Sequence, residues 1–391
     1  MRRILALTSI RSEYDLMSRV YELLDADPEI DLRLLVSGAH LSPAHGMTVK
    51  HIHEDGFVVL AEVETLISAD SQSSRLKTAS GLLSGSIDIV RGFAPDVIVY
   101  AGDREDVLVG AMIGGFLGIP TVHFFGGDHA ADGHIDNPVR HAASKLSSTH
   151  FVSMPEHKER LLGLGEAEHR VHVIGSVALD KFRLEPTLSV ESILLKIGAK
   201  AHAFAAPLAI LIFHPIGPEI GVAAEYLTNA ASALVDMGYH VCLGAPNTDP
   251  GNFALLQALD RLAQMEQVTV YKNLSRPEFV NLFRNAKLIV GNSSAGLLEA
   301  ASLKIPAINV GLRQRGRLCA SNVLFADGDR ASIGAALKIA TSEEFLAKLD
   351  DLVNPYGDGN SSEQAAHLLK TLDFSKLLQK TEDPLNGIGR A

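Results

Sequence analysis

Short apolar runs alternate with amphipathic stretches along almost the whole of this 391-residue chain. Such runs predict buried strands, and apolar residues at helical spacing predict the helices between them. Strand–helix alternation is typical of parallel sheets that carry helices on both faces. The predicted strands are 4–8, 32–36, 97–101, 121–125, 150–152 and 171–174 in the first half, and 209–213, 240–243, 268–271, 287–290 and 307–310 in the second.

The alternation occurs on both sides of one weakly patterned region, and a chain of this length suits two domains of ordinary size. We therefore predict an α/β protein with two doubly wound parallel sheets in tandem, whose carboxyl edges face each other across a cleft. The predicted parts are a first domain (1–180), a linker (181–206), a second domain (207–360), and a terminal helix and tail (361–391) that packs back on the first domain.

Composition argues against several classes of protein. With 47% apolar and 21% charged residues the chain is globular, and its net charge of −11 argues against nucleic acid or an anionic membrane as the main partner. No apolar run reaches spanning length, and the N-terminal apolar stretch is too brief for a signal peptide, so we expect a cytoplasmic protein. With Cys242 and Cys319 as its only cysteines, the chain suggests neither a disulfide framework nor a cysteine metal site.

Polar residues follow many of the predicted strands. Because open parallel sheets bind ligands at the carboxyl ends of their strands, we expect these residues to share one edge of each sheet. We expect the first domain to carry the residues that take part in the reaction and the second domain to bind the nucleotide. The residues are Arg11, His40, Asp103, Arg104 and 126–128 in the first half, and His214, Asn247, Asp249, Lys272, Ser293 and Arg313 in the second.

Residues 288–300 (LIVGNSSAGLLEA) indicate a strand that runs directly into a helix N-terminus. Small residues there leave backbone N–H groups uncovered, and the hydroxyls of Ser293 and Ser294 add donors beside the positive end of the helix dipole. Such a turn is suited to a phosphate, with Glu299 close enough to bind ribose hydroxyls. An ordinary strand–helix junction with a serine N-cap is the alternative.

Two charged groups follow strands of the first half. Arg11 lies in the first predicted turn, where a guanidinium can bind a phosphate through two hydrogen bonds. In residues 102–104, a glycine permits a close turn, and Asp103 and Arg104 place an acid or base beside a cation. The alternatives are a solvated loop arginine for Arg11 and a surface ion pair for Asp103 and Arg104.

Residues 126–141 (GGDHAADGHIDNPVRH) concentrate Asp128, Asp136, Arg140 and several histidines in one loop and helix start. Asp and His at short spacings can ligate a divalent ion, but the spacing fits a metal poorly. Carboxylates for proton transfer are favoured, because crowded acids in a cleft have pKa values that move apart. A purely capping role for Asp136 at the helix start is the alternative.

Basic and polar residues of the second half complete the candidate nucleotide site. His214 follows a strand, and with Asn247, Lys272 and the serine turn it favours a ligand contact over a structural histidine. Residues 313–317 form a basic island in an acidic protein. We expect one of its arginines, Arg313, to face the anion and the other two to be solvated.

The motifs, taken in order, resemble those of the hydrolysing UDP-N-acetylglucosamine 2-epimerases of bacterial sialic and legionaminic acid synthesis, and of the epimerase half of the bifunctional animal enzyme. The resemblance covers nearly the whole chain. Its motifs are Arg11-Ser12-Glu13-Tyr14, Ser37-Gly38-Ala39-His40-Leu41, Gly102-Asp103-Arg104, Ile135-Asp136, Arg140-His141, Ser144-Lys145-Leu146-Ser147, His214-Pro215, Pro246-Asn247, Gly291-Asn292-Ser293-Ser294, Gly311-Leu312-Arg313-Gln314 and Tyr356-Gly357-Asp358-Gly359-Asn360.

The resemblance implies a GT-B-like fold of two Rossmann-type domains, a homodimer and no cofactor. It also implies elimination of UDP with loss of the C2 proton, then addition of water with inverted configuration at C2. Asp103 and Asp136 would be acid/base residues, with His40 and Arg140 near the sugar. The nucleotide diphosphate would be bound by Arg11, Arg104, His214, Asn247, Lys272, Ser293, Ser294, Glu299 and Arg313.

The chain departs from the family pattern along the wall that faces the sugar. Many members have Gly-Gly-Glu where this chain has Asp128 after two glycines, so the third expected acid/base side chain is one methylene shorter. Members also tend to have histidine in place of Phe125. The expected substrate is therefore UDP-N-acetylglucosamine or a UDP- or GDP-linked diacetamido sugar. The alternatives to an epimerase are a GT-B glycosyltransferase and a sugar-nucleotide binding protein without activity.

Overall fold

The computed structural model describes residues 1–69, 71–246, 249–272 and 274–383. Within these residues the chain forms two compact units. The first contains residues 1–128, 135–180 and the chain from Tyr356 on, and the second contains residues 129–134 and 181–355. A short loop between two candidate acidic residues therefore belongs to the second unit, although its flanks belong to the first.

Every strand pair in both sheets is parallel. The first unit has the strand order β3-β2-β1-β4-β5-β6-β7 and the second β10-β9-β8-β11-β12-β13. The strands are β1 Arg2–Thr8, β2 Ile30–Ser37, β3 Val59–Val63, β4 Val97–Ala101, β5 Thr121–Phe124, β6 Thr149–Val152, β7 Val171–Val173, β8 Leu208–Ile212, β9 His240–Gly244, β10 Val268–Tyr271, β11 Ala286–Gly291, β12 Ala307–Val310 and β13 Val323–Ala326.

Helices connect most consecutive strands, as is usual for parallel order, whereas turns and a loop join β12 to β13. Among the described residues no helix is long and apolar enough to cross a membrane. The helices are α1 Arg11–Asp25, α2 Val49–Glu54, α3 Gln72–Phe93, α4 Glu105–Leu117, α5 Asp136–Leu146, α6 Pro155–Gly163, α7 Asp180–Leu184, α8 Val190–Lys196, α9 Ala223–Asp236, α10 Asn252–Leu262, α11 Arg276–Asn285, α12 Ala295–Leu298, α13 Arg330–Ala340, α14 Glu343–Ala347, α15 Ser361–Thr371 and α16 Phe374–Leu377.

The predicted pair of doubly wound parallel sheets is confirmed. In each unit the strand order reverses beside a central strand, between β1 and β4 and between β8 and β11, which is the position where such sheets bind ligands. Two strands escaped prediction, β3 and β13. Both are edge strands. None of the residues of β3 is buried and only Val323 and Ala326 are buried in β13, so neither strand is covered like a central one.

The central strands are buried on both faces. All five residues of β4 (VIVYA) and of β8 (LAILI) are buried, because helices cover each sheet from both sides. In β4, Val97 and Val99 pack in one apolar cluster, while Ile98 and Tyr100 pack in another on the opposite face. The terminal helix α15 packs on α1 within the first unit.

Candidate active site

The turn after β4 carries Asp103 and is held in place by a histidine of the neighbouring strand. Gly102 has φ +101°, a conformation that favours glycine, and it redirects the chain into α4. His123 is fully buried, and its Nε2–H donates to the Gly102 carbonyl oxygen (2.8 Å) while its Nδ1 accepts from the Ser144 hydroxyl (2.9 Å). Burial lowers the pKa of His123 to about 3, so the ring is neutral. Sequence reasoning missed His123, although a histidine inside an apolar strand is a signal.

Arg140 connects two of the candidate acidic residues. Its Nη2 forms an ion pair with Asp103, and its Nη1 donates to the backbone oxygen of Asp128 (3.0 Å) and to Asn137 Oδ1 (3.3 Å). The Arg140 side chain is 7% exposed and that of Asp103 is 28% exposed. A sheltered guanidinium beside an accessible carboxylate is an arrangement suited to proton transfer at a substrate. The structure thus brings together Asp103, Arg140 and the backbone of Asp128.

Asp128 ends a turn with unusual backbone geometry. Phe125 has φ +64° and Gly127 φ +76°, and a Cβ at Gly127 would collide with the carbonyl oxygen of His157. The Asp128 side chain is buried, with Oδ1 3.4 Å from Nε2 of His157. A phenylalanine in the left-handed region of backbone conformation costs free energy, so the surrounding structure must maintain this turn. Phe125 is therefore not the last residue of β5, as predicted, but the first residue beyond it.

Asp136 is the first residue of α5, and the N-cap position is Ile135. Asp136 thus places its negative charge in the first turn of the helix. One carboxylate oxygen, Oδ1, lies 3.5 Å from Nη2 of Arg75, a residue of α3 that sequence reasoning missed. The side chain of Asp136 is 20% exposed. It lies near the start of α4, because the same Nη2 of Arg75 also contacts Glu105, the first residue of α4.

The two arginines of the first unit that are predicted to bind phosphate both lie at helix starts. Arg11 is the first residue of α1, and its Nε lies 3.9 Å from Asp15 Oδ2. The Nη1 atom of Arg11 is buried without a hydrogen-bond partner among the described residues, which is an unusual state for a guanidinium nitrogen. Arg104 occupies the N-cap of α4, with Nη2 3.8 Å from Oε1 of Glu105.

His40 lies in the interior rather than at the surface. It is fully buried, with Nε2 3.0 Å from the Thr8 hydroxyl and Nδ1 2.9 Å from the Thr48 hydroxyl. Burial, and secondly the charge of Arg11, lower the pKa of His40 to about 3. The neutral imidazole thus joins the end of β1 to the turn after β2, and a place for His40 near the sugar stays a prediction.

The serine turn of the second unit is fastened to the neighbouring strand end by an asparagine. Gly291 ends β11 with φ +122°, and a Cβ there would collide with the carbonyl oxygen of Ile212 in β8. Asn292 is fully buried, and its side chain accepts from His214 N (2.7 Å) and donates to His214 O (2.8 Å). The backbones of His214 and of the Ser293–Ser294 turn are therefore fixed side by side, as predicted for one sheet edge. Sequence reasoning did not recognise Asn292 as the residue that joins them.

Arg313 lies at this turn, and the other two arginines of the basic island are engaged elsewhere. Nη1 of Arg313 donates to the carbonyl oxygen of Asn292 (2.6 Å). Arg315 pairs with Asp327 (2.7 Å), and Arg317 donates to Gln314 Oε1 (2.6 Å). The structure thus places His214, Ser293 and Arg313 at one location.

Glu299 and Lys272 have different surroundings. The Glu299 side chain is 5% exposed, and its Oε1 accepts from Nη2 of Arg276 at 2.6 Å. The guanidinium of Arg276 also stacks over Phe182, 4.9 Å from the ring centroid. Lys272 is exposed beyond the end of β10, and Asn247 lies outside the described residues. A ribose contact by Glu299 stays a prediction, and its partner Arg276 was missed because nothing in the local sequence marks it.

No group of three or more His, Cys, Asp or Glu side chains within the described ranges is placed to hold a metal ion. The histidines and aspartates of residues 128–141 are instead distributed between the two units, since residues 129–134 belong to the second.

Solved structures resemble the whole chain. A crystal structure of the UDP-GlcNAc 2-epimerase of Neisseria meningitidis, bound to UDP-GlcNAc, matches with a TM-score of 0.78 and 18% identity, over 95% of this chain and 100% of that one. At this identity the likeness concerns the fold. It confirms the predicted GT-B-like fold class, with two Rossmann-type domains in the chain.

Similarity in sequence is higher to two bacterial enzymes. The UDP-N,N'-diacetylbacillosamine 2-epimerase (hydrolyzing) of Legionella pneumophila is 32% identical over 97% of this chain and 98% of its own length. The GDP/UDP-N,N'-diacetylbacillosamine 2-epimerase (hydrolyzing) of Campylobacter jejuni is 30% identical over 88% of each chain. The sequence profile of the UDP-N-acetylglucosamine 2-epimerase family matches residues 22–370. The chain therefore belongs to the UDP-N-acetylglucosamine 2-epimerase family, which confirms the predicted class of enzyme.

Proposed function

We propose that this protein is a hydrolysing 2-epimerase of a nucleotide-linked N-acetylated amino sugar. In the first step the C2 proton is removed, its bonding electrons form the C1–C2 double bond, and the C1–O bond breaks to release the nucleoside diphosphate. In the second step a proton is added to C2 on the opposite face, and the oxygen of water bonds to C1 as the water gives up one proton to a carboxylate. The products are the free C2-epimer and the nucleoside diphosphate.

The observation that carries this proposal is the ion pair between Arg140 and Asp103 at the carboxyl edge of the first sheet. Elimination followed by hydration needs carboxylates that accept and return protons within reach of C2. We assign these roles to Asp103 and Asp136, with Asp128 as the third acid/base residue. Arg140 holds Asp103 and the Asp128 backbone in one arrangement, so it orients the acids rather than exchanging protons itself.

Departure of the diphosphate requires donors that accept its growing negative charge. We assign this task to the backbone and hydroxyls of Ser293 and Ser294, to Arg313 beside them, and to His214 across the strand end. In the first unit, Arg11 and Arg104 add cationic side chains, and the unpartnered Nη1 of Arg11 supports such a role.

For the substrate, we propose a UDP-linked 2,4-diacetamido sugar of the diacetylbacillosamine type. Support comes from the two relatives that are at least 30% identical, both of which bear this substrate in their names. The shorter Asp128 and the apolar Phe125 change the wall where a second acetamido group would be accommodated. UDP-GlcNAc is the second candidate, with a free N-acetylmannosamine-type product. We further propose a cytoplasmic homodimer whose product feeds nonulosonic acid synthesis.

One assay tests the proposed reaction and the proposed substrate together. The protein is incubated in heavy water with UDP-N,N'-diacetylbacillosamine, its GDP-linked counterpart or UDP-GlcNAc, and nucleoside diphosphate release and deuterium at C2 are followed by NMR. Release of the diphosphate with a C2-deuterated, epimerised free sugar is the expected result. Sugar transfer only in the presence of an acceptor would instead indicate a glycosyltransferase. Binding without turnover of all three sugars would indicate an inactive binding protein.

A further inference from the structure

Arg75 is a charged residue outside the predicted motifs, and it contacts two carboxylates at the candidate active site. It is the fourth residue of α3, and its guanidinium reaches the first residues of α4 and α5. Nε and Nη2 of Arg75 both donate to Oε2 of Glu105, at 3.0 and 2.5 Å. Nη2 also lies 3.5 Å from Oδ1 of Asp136. The three side chains are 16–20% exposed, so they are sheltered but not closed to solvent.

The position of Arg75 in its own helix is electrostatically unfavourable. An arginine in the first turn of a helix faces the positive end of the helix dipole, whereas carboxylates at that position are stabilised. Arg75 is therefore placed by its partners in the neighbouring helices rather than by the helix that carries it. Glu105 and Asp136 each occupy the first position of a helix, where a negative charge is favoured.

Glu105 holds the guanidinium of Arg75 in place. Burial by itself would raise the pKa of Glu105, but the charges of Arg104 and Arg75 outweigh it and lower the pKa overall. The carboxylate is thus ionised, with Oε2 bonded to Arg75 and Oε1 3.8 Å from Arg104. A continuous row of alternating charges runs from Arg104 through Glu105 and Arg75 to Asp136. One end of this row is a proposed diphosphate contact, and the other is a proposed acid/base residue.

We propose that Arg75 is a positioning residue for the reaction, which holds the Asp136 carboxylate in a fixed orientation for proton transfer while Glu105 holds Arg75. The inference rests on the proposed function. Arg75 acts through Asp136 and does not exchange protons itself. Its bonds to Glu105 use both Nε and Nη2, so the guanidinium plane is fixed by Glu105 and presents an oriented N–H to Asp136.

The test compares Arg75→Ala and Arg75→Lys with Arg91→Ala in the same helix. Arg91 is a matched control because its side chain is 67% exposed and pairs with Asp88, one turn away in the same helix. We expect Arg75→Ala to lower kcat about 100-fold with KM changed less than about threefold, since the loss concerns proton transfer rather than binding. Arg75→Lys should lose about tenfold, because an ammonium keeps the charge without the fork of donors. Arg91→Ala should equal the wild type.

Two further measurements separate positioning from a merely structural contribution. Guanidinium at about 50 mM should raise the kcat of Arg75→Ala about tenfold or more, because it can occupy the space between the carboxylates of Glu105 and Asp136. In an Asp136→Asn background, Arg75→Ala should change the residual rate less than about twofold, since the residue acts through that carboxylate. UDP binding and the thermal midpoint of each variant are recorded to show that it is folded.

The outcomes distinguish this inference from the proposed function. A wild-type protein that converts none of the three nucleotide sugars contradicts both. Turnover by the wild type, with kcat of Arg75→Ala unchanged or with its loss confined to KM, contradicts only the role of Arg75. Additive losses in the double variant, or no response to guanidinium in a folded Arg75→Ala protein, would also overturn it.

Discussion

Replacing Asp103 by asparagine should separate the chemistry of this enzyme from its nucleotide binding. The amide has the shape of the carboxylate and still accepts a hydrogen bond from Arg140, but it cannot accept and return a proton. A positioned acid or base contributes roughly 10²–10⁴-fold to a rate. If Asp103 takes part in both the elimination and the hydration, its loss falls in the upper part of this range. We therefore expect kcat to fall by at least about 10³-fold.

The same substitution should have a small effect on stability. Removing one partner of a fully buried ion pair costs about 3–5 kcal/mol, but Asp103 is 28% exposed and the amide keeps one bond to Arg140. Arg140 stays charged in the variant, so only the charge of the acceptor is lost, and we expect a loss of about 1 kcal/mol, the typical net contribution of one hydrogen bond. For a unit of this size that corresponds to a thermal midpoint lower by about 2–4 °C.

The measurement is turnover by NMR in heavy water, together with calorimetric titration of UDP and a thermal unfolding curve. Asp236→Asn is the control, because Asp236 is 59% exposed and pairs with Arg330 at the surface. The variant at Asp103 should bind UDP within about twofold of the wild type, since we assign most diphosphate contacts to other residues. Retention of more than a tenth of wild-type kcat would remove Asp103 from the mechanism. Loss of UDP binding in a folded variant would instead make it a binding residue.

Three further predictions concern the nucleotide turn, a helix start and the response to acid. Ser294→Ala should weaken UDP binding by about 1 kcal/mol, or roughly fivefold, and unchanged calorimetric affinity would mean that the diphosphate binds elsewhere. Asp180 is buried and accepts hydrogen bonds from the first two backbone N–H groups of α15. In urea titrations, Asp180→Ala should therefore lower the free energy of unfolding by about 2–3 kcal/mol, and Asp180→Asn should lower it by less. Equal stability of Asp180→Ala and the wild type would contradict this prediction. Burial would raise the pKa of Glu166, but His150 and Lys380 outweigh it and lower the pKa to about 2. The ionised Glu166 therefore stabilises the fold above the ordinary pKa of a glutamate, and this stability should be lost as the pH falls from about 4.5 to about 2. In urea titrations at each pH, Glu166→Gln should show a weaker dependence of the free energy of unfolding on pH.

The fold was predictable wherever a strand is covered on both faces. Strands such as β4 and β8 consist of apolar residues because both faces of the sheet are buried, and this pattern is local in the sequence. β3 contains Glu62 and β13 contains the exposed Phe325, since an edge strand has fewer neighbours. Their presence follows from backbone pairing to β2 and β12, which no local pattern shows.

The candidate site was predictable where its residues directly follow strands. Asp103 and Ser293 lie at strand ends, and parallel order brings strand ends to one edge whatever the details of packing. His123 and Arg276 were not predictable in the same way, because their partners Gly102, Ser144 and Glu299 are separated from them by 21 to 23 residues and approach only in the folded chain. His40 shows the converse: it follows a strand, yet the fold encloses its ring.

The sequence by itself determined the two parallel sheets, the turns at their carboxyl edges and the family, because apolar periodicity, glycine positions and short motifs are properties of neighbouring residues. Only the tertiary structure decided which arginine serves which carboxylate. Arg140 pairs with Asp103 across 37 positions of the chain, and Arg75 contacts Asp136 across 61. Ion pairs form over a few ångströms, and the packing of α3, α4 and α5 sets those distances.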